Sequence, residues 1–222
     1  MAYKLTKKKT PNCDKRMHKP TEIVIHHWGP KGQKFNSVVN WLCNVKSGVS
    51  AHYVVQSGKV CQLADPSEKI TWHAGNWSHN KISIGIECRP EHTKGDQATL
   101  AELIAYLWSV YGILPIKEHR QIVATACPGE YKASEVYDDA MDIYKHGSIV
   151  LPQKGYFTTG DEGHGVKMLQ KFLNKHLKTK LVVDGEYGPK TAKAVKKFQK
   201  KYKLTVDGEW GTECQRQYRC LT

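Results

Sequence analysis

No stretch of this 222-residue chain approaches the roughly 18 apolar residues that a membrane-spanning helix needs, so no insertion into a bilayer is expected. The basic start Met1-Ala2-Tyr3-Lys4-Leu5 leads into no apolar run. No signal peptide is therefore expected, and synthesis in the cytoplasm follows. The seven cysteines, at 13, 43, 61, 88, 127, 214 and 220, are odd in number and contain no CxxC pair. In a cytoplasmic chain that pattern predicts reduced thiols, with one a candidate metal ligand. Acidic residues are scarce: 21 Asp and Glu stand against 34 Lys and Arg, a net charge of +13. A polyanion is the natural partner of such a surface, whether nucleic acid, an acidic membrane or a cell wall with anionic polymers. The chain carries no recognised nucleic-acid motif, so nucleic acid ranks last among these.

The excess is uneven. Residues 1–150 hold 19 Lys/Arg and 14 Asp/Glu, whereas residues 151–222 hold 15 and 7, a net +5 against +8. The length admits one large or two unequal domains. Periodicity lapses between Gly147 and Thr159, near Pro152, Gly155 and Gly160, which predicts a boundary there. The expected division is 1–148, a linker at 149–158, and 159–222.

Residues 1–20, broken by Pro11 and Pro20, read as an irregular lead-in. Thr21 to His26 is β-branched and predicts a central strand. Asn36 is placed to cap a helix carrying Val38, Trp41, Leu42 and Val45 on one face. Two strands, 52–56 and 59–63, flank Ser57-Gly58 as a hairpin. Residues 72–77 form a polar-aromatic loop before a strand at 82–88, whose alternation sets Ser83, Gly85 and Glu87 on one face. Leu100, Leu103, Ile104, Leu107 and Trp108 mark a helix from Asp96 to Tyr111, and a weaker one covers 133–145. Strands mixed with helices make this part α/β or α+β. Beyond the boundary lie two helical patterns and a short echo, Val183-Asp184-Gly185-Glu186-Tyr187-Gly188 returning as Val206-Asp207-Gly208-Glu209-Trp210-Gly211. A small three-helix module fits that tail.

Chemistry gathers at three places. His119 and Cys127 stand eight residues apart, and His26-His27 ends the first predicted strand. Two histidines, one cysteine and an open fourth position compose a catalytic zinc site rather than a closed structural one. Neighbouring strand residues point to opposite faces, so one of His26 and His27 reaches such a site, and alternation leaves open which.

Taken in order, His26-His27-Trp28, Val49-Ser50-Ala51-His52-Tyr53, Trp72-His73-Ala74-Gly75, Ser83-Ile84-Gly85-Ile86-Glu87 and His119-x7-Cys127-Pro128-Gly129 resemble the zinc-dependent N-acetylmuramoyl-L-alanine amidase family, related to the peptidoglycan recognition proteins. The resemblance covers about residues 20–146. The tail, with its two Asp-Gly-Glu-aromatic-Gly turns, resembles the small helical peptidoglycan-binding domain. The pair is the arrangement of phage endolysins and bacterial autolysins.

This resemblance implies an α/β fold, a mixed sheet flanked by helices, beside a small three-helix domain. It implies a Zn2+ cofactor held by His26, His119 and Cys127, with Glu87 as general base and Thr125 contacting the scissile carbonyl. Trp28, Trp72 and His73 become candidates for substrate contact. The position of a tyrosine that is catalytic in some relatives is Ala51 here, so the glutamate version of the chemistry is implied. The expected substrate is bacterial peptidoglycan, cut between N-acetylmuramic acid and L-alanine by a monomeric endolysin. It would be made in the host cytoplasm and act on the wall after release at lysis. Lys193, Lys196, Lys197, Lys200, Lys201 and Lys203 are candidates to contact anionic wall polymers. A wall-recognition protein without catalysis, or an autolysin of the same chemistry, is the alternative.

Overall fold

Ile23, Val24 and Ile25 have no polar face, and a strand so composed needs cover on both sides. In the computed structural model, which describes residues 3–146, 149, 151–152 and 154–221, they are fully buried in β3 (Glu22–His27). β3 pairs in parallel with β7 (Ser83–Cys88) on one side and β8 (Ile116–Glu118) on the other. β4 (Tyr53–Gln56) lies parallel to β7 and antiparallel to β5 (Lys59–Gln62), and β1 (Lys4–Lys7) closes the edge alongside β5. The resulting six-stranded mixed sheet has the order β1-β5-β4-β7-β3-β8. A two-stranded antiparallel pair, β2 (Cys13–Lys15) with β6 (Lys69–Thr71), stands apart from it.

The lead-in is therefore not irregular. It supplies β1 and β2, whose exposed lysines suit an unprotected edge and leave no apolar alternation to read. It also supplies Arg16, whose guanidinium donates to the carbonyls of Lys69, Lys81 and Ser83 at 2.9, 2.6 and 2.7 Å.

Helices cover the sheet. α1 (Phe35–Leu42) buries Val38, Val39 and Leu42 against Trp28, Val54, Cys61 and Leu63. Trp41 is 55% exposed and Val45 71%, the latter in a separate 3₁₀ turn, so the apolar face of α1 is narrower than the helical spacing predicts. Asn76 caps the short α2 (Trp77–Ile82), which takes Ile82 out of the expected strand. α3 (Lys94–Tyr111) opens with a reciprocal cap in which Thr93 and Asp96 bond each other's backbone N–H. Asp96 also accepts from Ser57 N–H at 2.7 Å, pinning the β4–β5 turn. α4 (Ala133–His146) lies along α3, with Tyr137 and Tyr144 edge-on to Trp108.

Contacts divide the chain into Met1–His146 and Gly147–Thr222. Residues 147 and 148, where the boundary was expected, lie outside the described residues, as do 150 and 153 of the expected linker. Ile149, Leu151 and Phe157 from that same stretch are buried in the second unit's apolar core, so they are not free linker.

That unit contains α5 (His164–Leu177), α6 (Pro189–Lys201) and α7 (Thr212–Arg219). The sequence echo is a structural one. Buried Gln170 donates to Asp184 and accepts from Gly185 N–H, at 2.8 and 2.9 Å. Gln199 does the same with Asp207 and Gly208, at 2.6 and 2.9 Å. Each glutamine thus clips one Asp-Gly turn to the helix before it. The matching aromatics Tyr187 and Trp210 fill the core. Replacing Gln199 by Leu leaves the buried Gly208 N–H without its acceptor. We expect a loss of about 1–3 kcal/mol in the urea unfolding of this unit; an unchanged midpoint would show that the clip adds nothing.

Candidate functional site

The site forms where β3 and β7 end. Their register sets His26 opposite Glu87, so the two side chains share one face of the sheet. His119 begins the 3₁₀ turn after β8, and its ring centroid lies 4.4 Å from that of His26. Cys127 comes from the following loop, with Sγ 3.7 Å from His26 Nδ1. One donor atom each from His26, His119 and Cys127 lies within 4.8 Å of the others, so these three side chains can hold a metal ion. His27 turns the other way, and its Nδ1 accepts from Gly29 N–H at 3.1 Å.

Burial dominates the electrostatics. It drives the pKa of His26 well below the usual imidazole value and lowers that of His119, so both rings are neutral with a lone pair available. The same desolvation pushes the Cys127 thiol up to about 12. It raises Glu87 to about 7, and Glu87 Oε2 is buried with no hydrogen-bond partner among the described residues. A buried carboxylate oxygen left unpaired beside three ligand-type side chains suits a group that is not itself protein.

The other expected site residues divide. Thr125 is exposed on the Cys127 loop, and its Oγ1 accepts from Cys127 N–H at 3.2 Å, leaving its own proton to donate. Trp28 lies in the apolar cluster under α1, not in a groove. Trp72 is half-buried and donates its indole N–H to Asp14 at 2.6 Å, tying the loop to β2. His73 is buried against His26, with 2.9 Å between His73 Nδ1 and His26 Nε2, so it stands behind the cluster rather than in front of it. Tyr53 is in the core, its hydroxyl accepting from Gln62 at 3.4 Å, and Ala51 is buried.

Asn80 and the carbonyl of Ala74 carry no signal in the sequence, whereas Ser83 and Gly85 stand there as members of the Glu87 motif and face without a role of their own. A Cβ at Gly85 would come within 2.4 Å of the His73 ring, so only glycine lets that ring lie over β7.

Because burial favours protonated Glu87, the fold gains from this group below the unfolded value of 4.5 and loses that gain as pH rises through about 7. Glu87→Gln should therefore stabilise the metal-free protein at pH 8 by up to about 3 kcal/mol and by little at pH 4.5. Urea unfolding in chelator at the two pH values measures this. Equal effects at both would mean that the carboxylate is not desolvated.

Comparison with known proteins adds to this geometry. A family described as N-acetylmuramoyl-L-alanine amidase matches residues 16–130, and one described as putative peptidoglycan binding domain matches residues 162–217. Endolysin LysK of Staphylococcus phage K is 28% identical over 197 residues, covering 78% of this chain and 37% of LysK. The chain thus spans little more than a third of that relative. N-acetylmuramoyl-L-alanine amidase CwlA of Bacillus subtilis (strain 168) is 26% identical, over 80% of this chain and 81% of CwlA. Among solved structures, a mutant endolysin from Bacillus subtilis shares the fold at a TM-score of 0.56 and 23% identity, over 62% of this chain and 99% of that one.

Proposed function

This chain belongs to the N-acetylmuramoyl-L-alanine amidase family, and from that membership we propose that it hydrolyses the amide between N-acetylmuramic acid and L-alanine in bacterial peptidoglycan, using zinc. The observation that carries the reading is Glu87, set opposite His26 at the strand ends with one oxygen unpaired, beside the His26–His119–Cys127 cluster.

The donor set suits zinc. Imidazole and thiolate are softer ligands than carboxylate and favour it over magnesium or calcium. Tetrahedral zinc separates nitrogen and sulfur ligands by about 3.6 Å given its usual bond lengths, and His26 Nδ1 lies 3.7 Å from Cys127 Sγ. Held there, zinc would lower the pKa of a bound water to about 7 and would polarise a carbonyl.

The remaining work falls to the chain. Glu87, with its pKa raised to about 7, takes the proton of the attacking water and passes it to the departing L-alanine nitrogen. The water oxygen bonds to the lactyl carbonyl carbon, the C–N bond breaks, and a carboxylic acid and a free amine result. Thr125 donates its unused hydroxyl proton to the carbonyl oxygen as charge gathers there.

The second unit is the wall-holding part in this reading, supported by its match to a putative peptidoglycan binding domain. Lys193, Lys196, Lys197 and Lys200 are exposed on α6, opposite buried Ala194, Val195 and Phe198, and would meet anionic wall polymers. Lys201 and Lys203 extend that exposed basic run. No helix among the described residues is long and apolar enough to cross a membrane. The similarity to a phage endolysin supports action on the cell wall, and in this reading the chain is made in the host cytoplasm and acts as a monomer after release at lysis.

Mass spectrometry of digested walls tests the reaction. New free L-alanine amino termini without new reducing sugar ends are expected, and reducing ends instead would mean a glycosidase. Wall binding with no new termini would mean a recognition protein. Glu87→Gln should keep zinc and wall binding and lower kcat by about 10²–10⁴-fold; near-normal turnover would remove Glu87 as the base.

A further inference from the structure

Both histidines of the cluster are held by two consecutive residues of one loop. His26 Nε2 faces His73 Nδ1 at 2.9 Å, and His119 Nε2 faces the Ala74 carbonyl at 3.1 Å. A carbonyl can only accept, so His119 carries its proton on Nε2 and leaves Nδ1 as a free lone pair.

The His26 contact takes a longer argument, and it ends on a carbonyl too. Ser83 Oγ lies 2.5 Å from the carbonyl of His79, so its hydroxyl donates there. The Ser83 lone pairs then accept from His73 Nε2–H at 2.9 Å. A neutral His73 protonated at Nε2 presents a bare Nδ1, which accepts from His26 Nε2–H. The chain of donors runs in one direction, from His26 through His73 and Ser83 to His79, and it frees His26 Nδ1. That is the atom 3.7 Å from Cys127 Sγ.

The loop is itself fixed. Buried Asn80 accepts through Oδ1 from both His73 N–H and Ala74 N–H, at 3.2 and 2.8 Å. One side chain thus sets the position of both acceptors. The bare backbone at Gly85 gives the His73 ring its place on the sheet.

We infer that His73 and Ala74, pinned by Asn80, form the cradle that fixes both histidines with Nε2 protonated and Nδ1 turned to the metal. His73 is thereby a positioning residue for His26 rather than a contact for substrate. The inference rests on the zinc reading above. Outer partners of this kind set tautomer and ring orientation, and their loss weakens metal binding by about 10–100-fold.

The test uses the full chain and zinc alone. In metal-free wild-type protein, long-range ¹H–¹⁵N correlation should place the ring protons of His26 and His119 on Nε2; a proton on Nδ1 of either overturns the inference without any substitution. In chelator competition, His73→Leu should raise the zinc Kd about 10–100-fold. His73→Asn, whose amide oxygen replaces the Nδ1 acceptor, should recover most of that loss. Asn80→Ala should weaken zinc binding as His73→Leu does. If His73 were merely structural, His73→Leu would lower the stability of the metal-free protein and leave the zinc Kd of the folded fraction unchanged, which overturns the proposal. A wild-type protein that takes up no zinc overturns the zinc reading and the cradle with it. Tight zinc binding by His73→Leu overturns the cradle alone.

Discussion

The parallel pairing of β3 with β7, in the register that sets His26 against Glu87, is the constraint on which the site depends. A slip of one residue would turn every side chain of one strand to the other face. Glu87 would then leave His26, and Gly85 would no longer lie beneath His73. The register is held by burial: Ile23, Ile25, Ile84 and Ile86 are wholly inaccessible on the face opposite His26 and Glu87, and a slip would expose or misplace all four. The polar groups proposed to do the chemistry therefore gain their positions from apolar ones that do none.

The same burial sets the protonation states. It keeps His26 and His119 neutral and raises Glu87 towards neutrality, and it also makes the free Cys127 thiol reluctant to ionise. A metal ion held by His26, His119 and Cys127 would supply the positive charge this pocket lacks, beside a Glu87 oxygen that has no hydrogen-bond partner among the described residues. The costs of burying these groups and the attraction of the pocket for a cation have one physical origin.

Much of this was legible in the sequence, for reasons that differ by residue. β-branched runs and a Ser-Gly turn marked β3, β4, β5 and β7, and i, i+3, i+4 spacing marked α3 and α4. The edge strands β1 and β2 escaped because lysines suited to an open edge erase alternation. Alternation could separate His26 from His27 but not choose between them, since the choice depends on which face the 72–80 segment covers. Trp28 and His73 looked like groove residues because aromatics beside histidines often are. In the fold Trp28 shares the His26 face but sits under α1, and the space over Gly85 draws the His73 ring inward. Ala74 contributes a backbone carbonyl, which no side-chain pattern can announce.

X-ray absorption at the zinc edge of the metal-loaded full chain tests the central claim most directly. Two nitrogen ligands at about 2.0 Å and a single sulfur at about 2.3 Å are the result predicted for His26, His119 and Cys127. A shell of nitrogen and oxygen without sulfur, or more than one sulfur, would contradict the assignment.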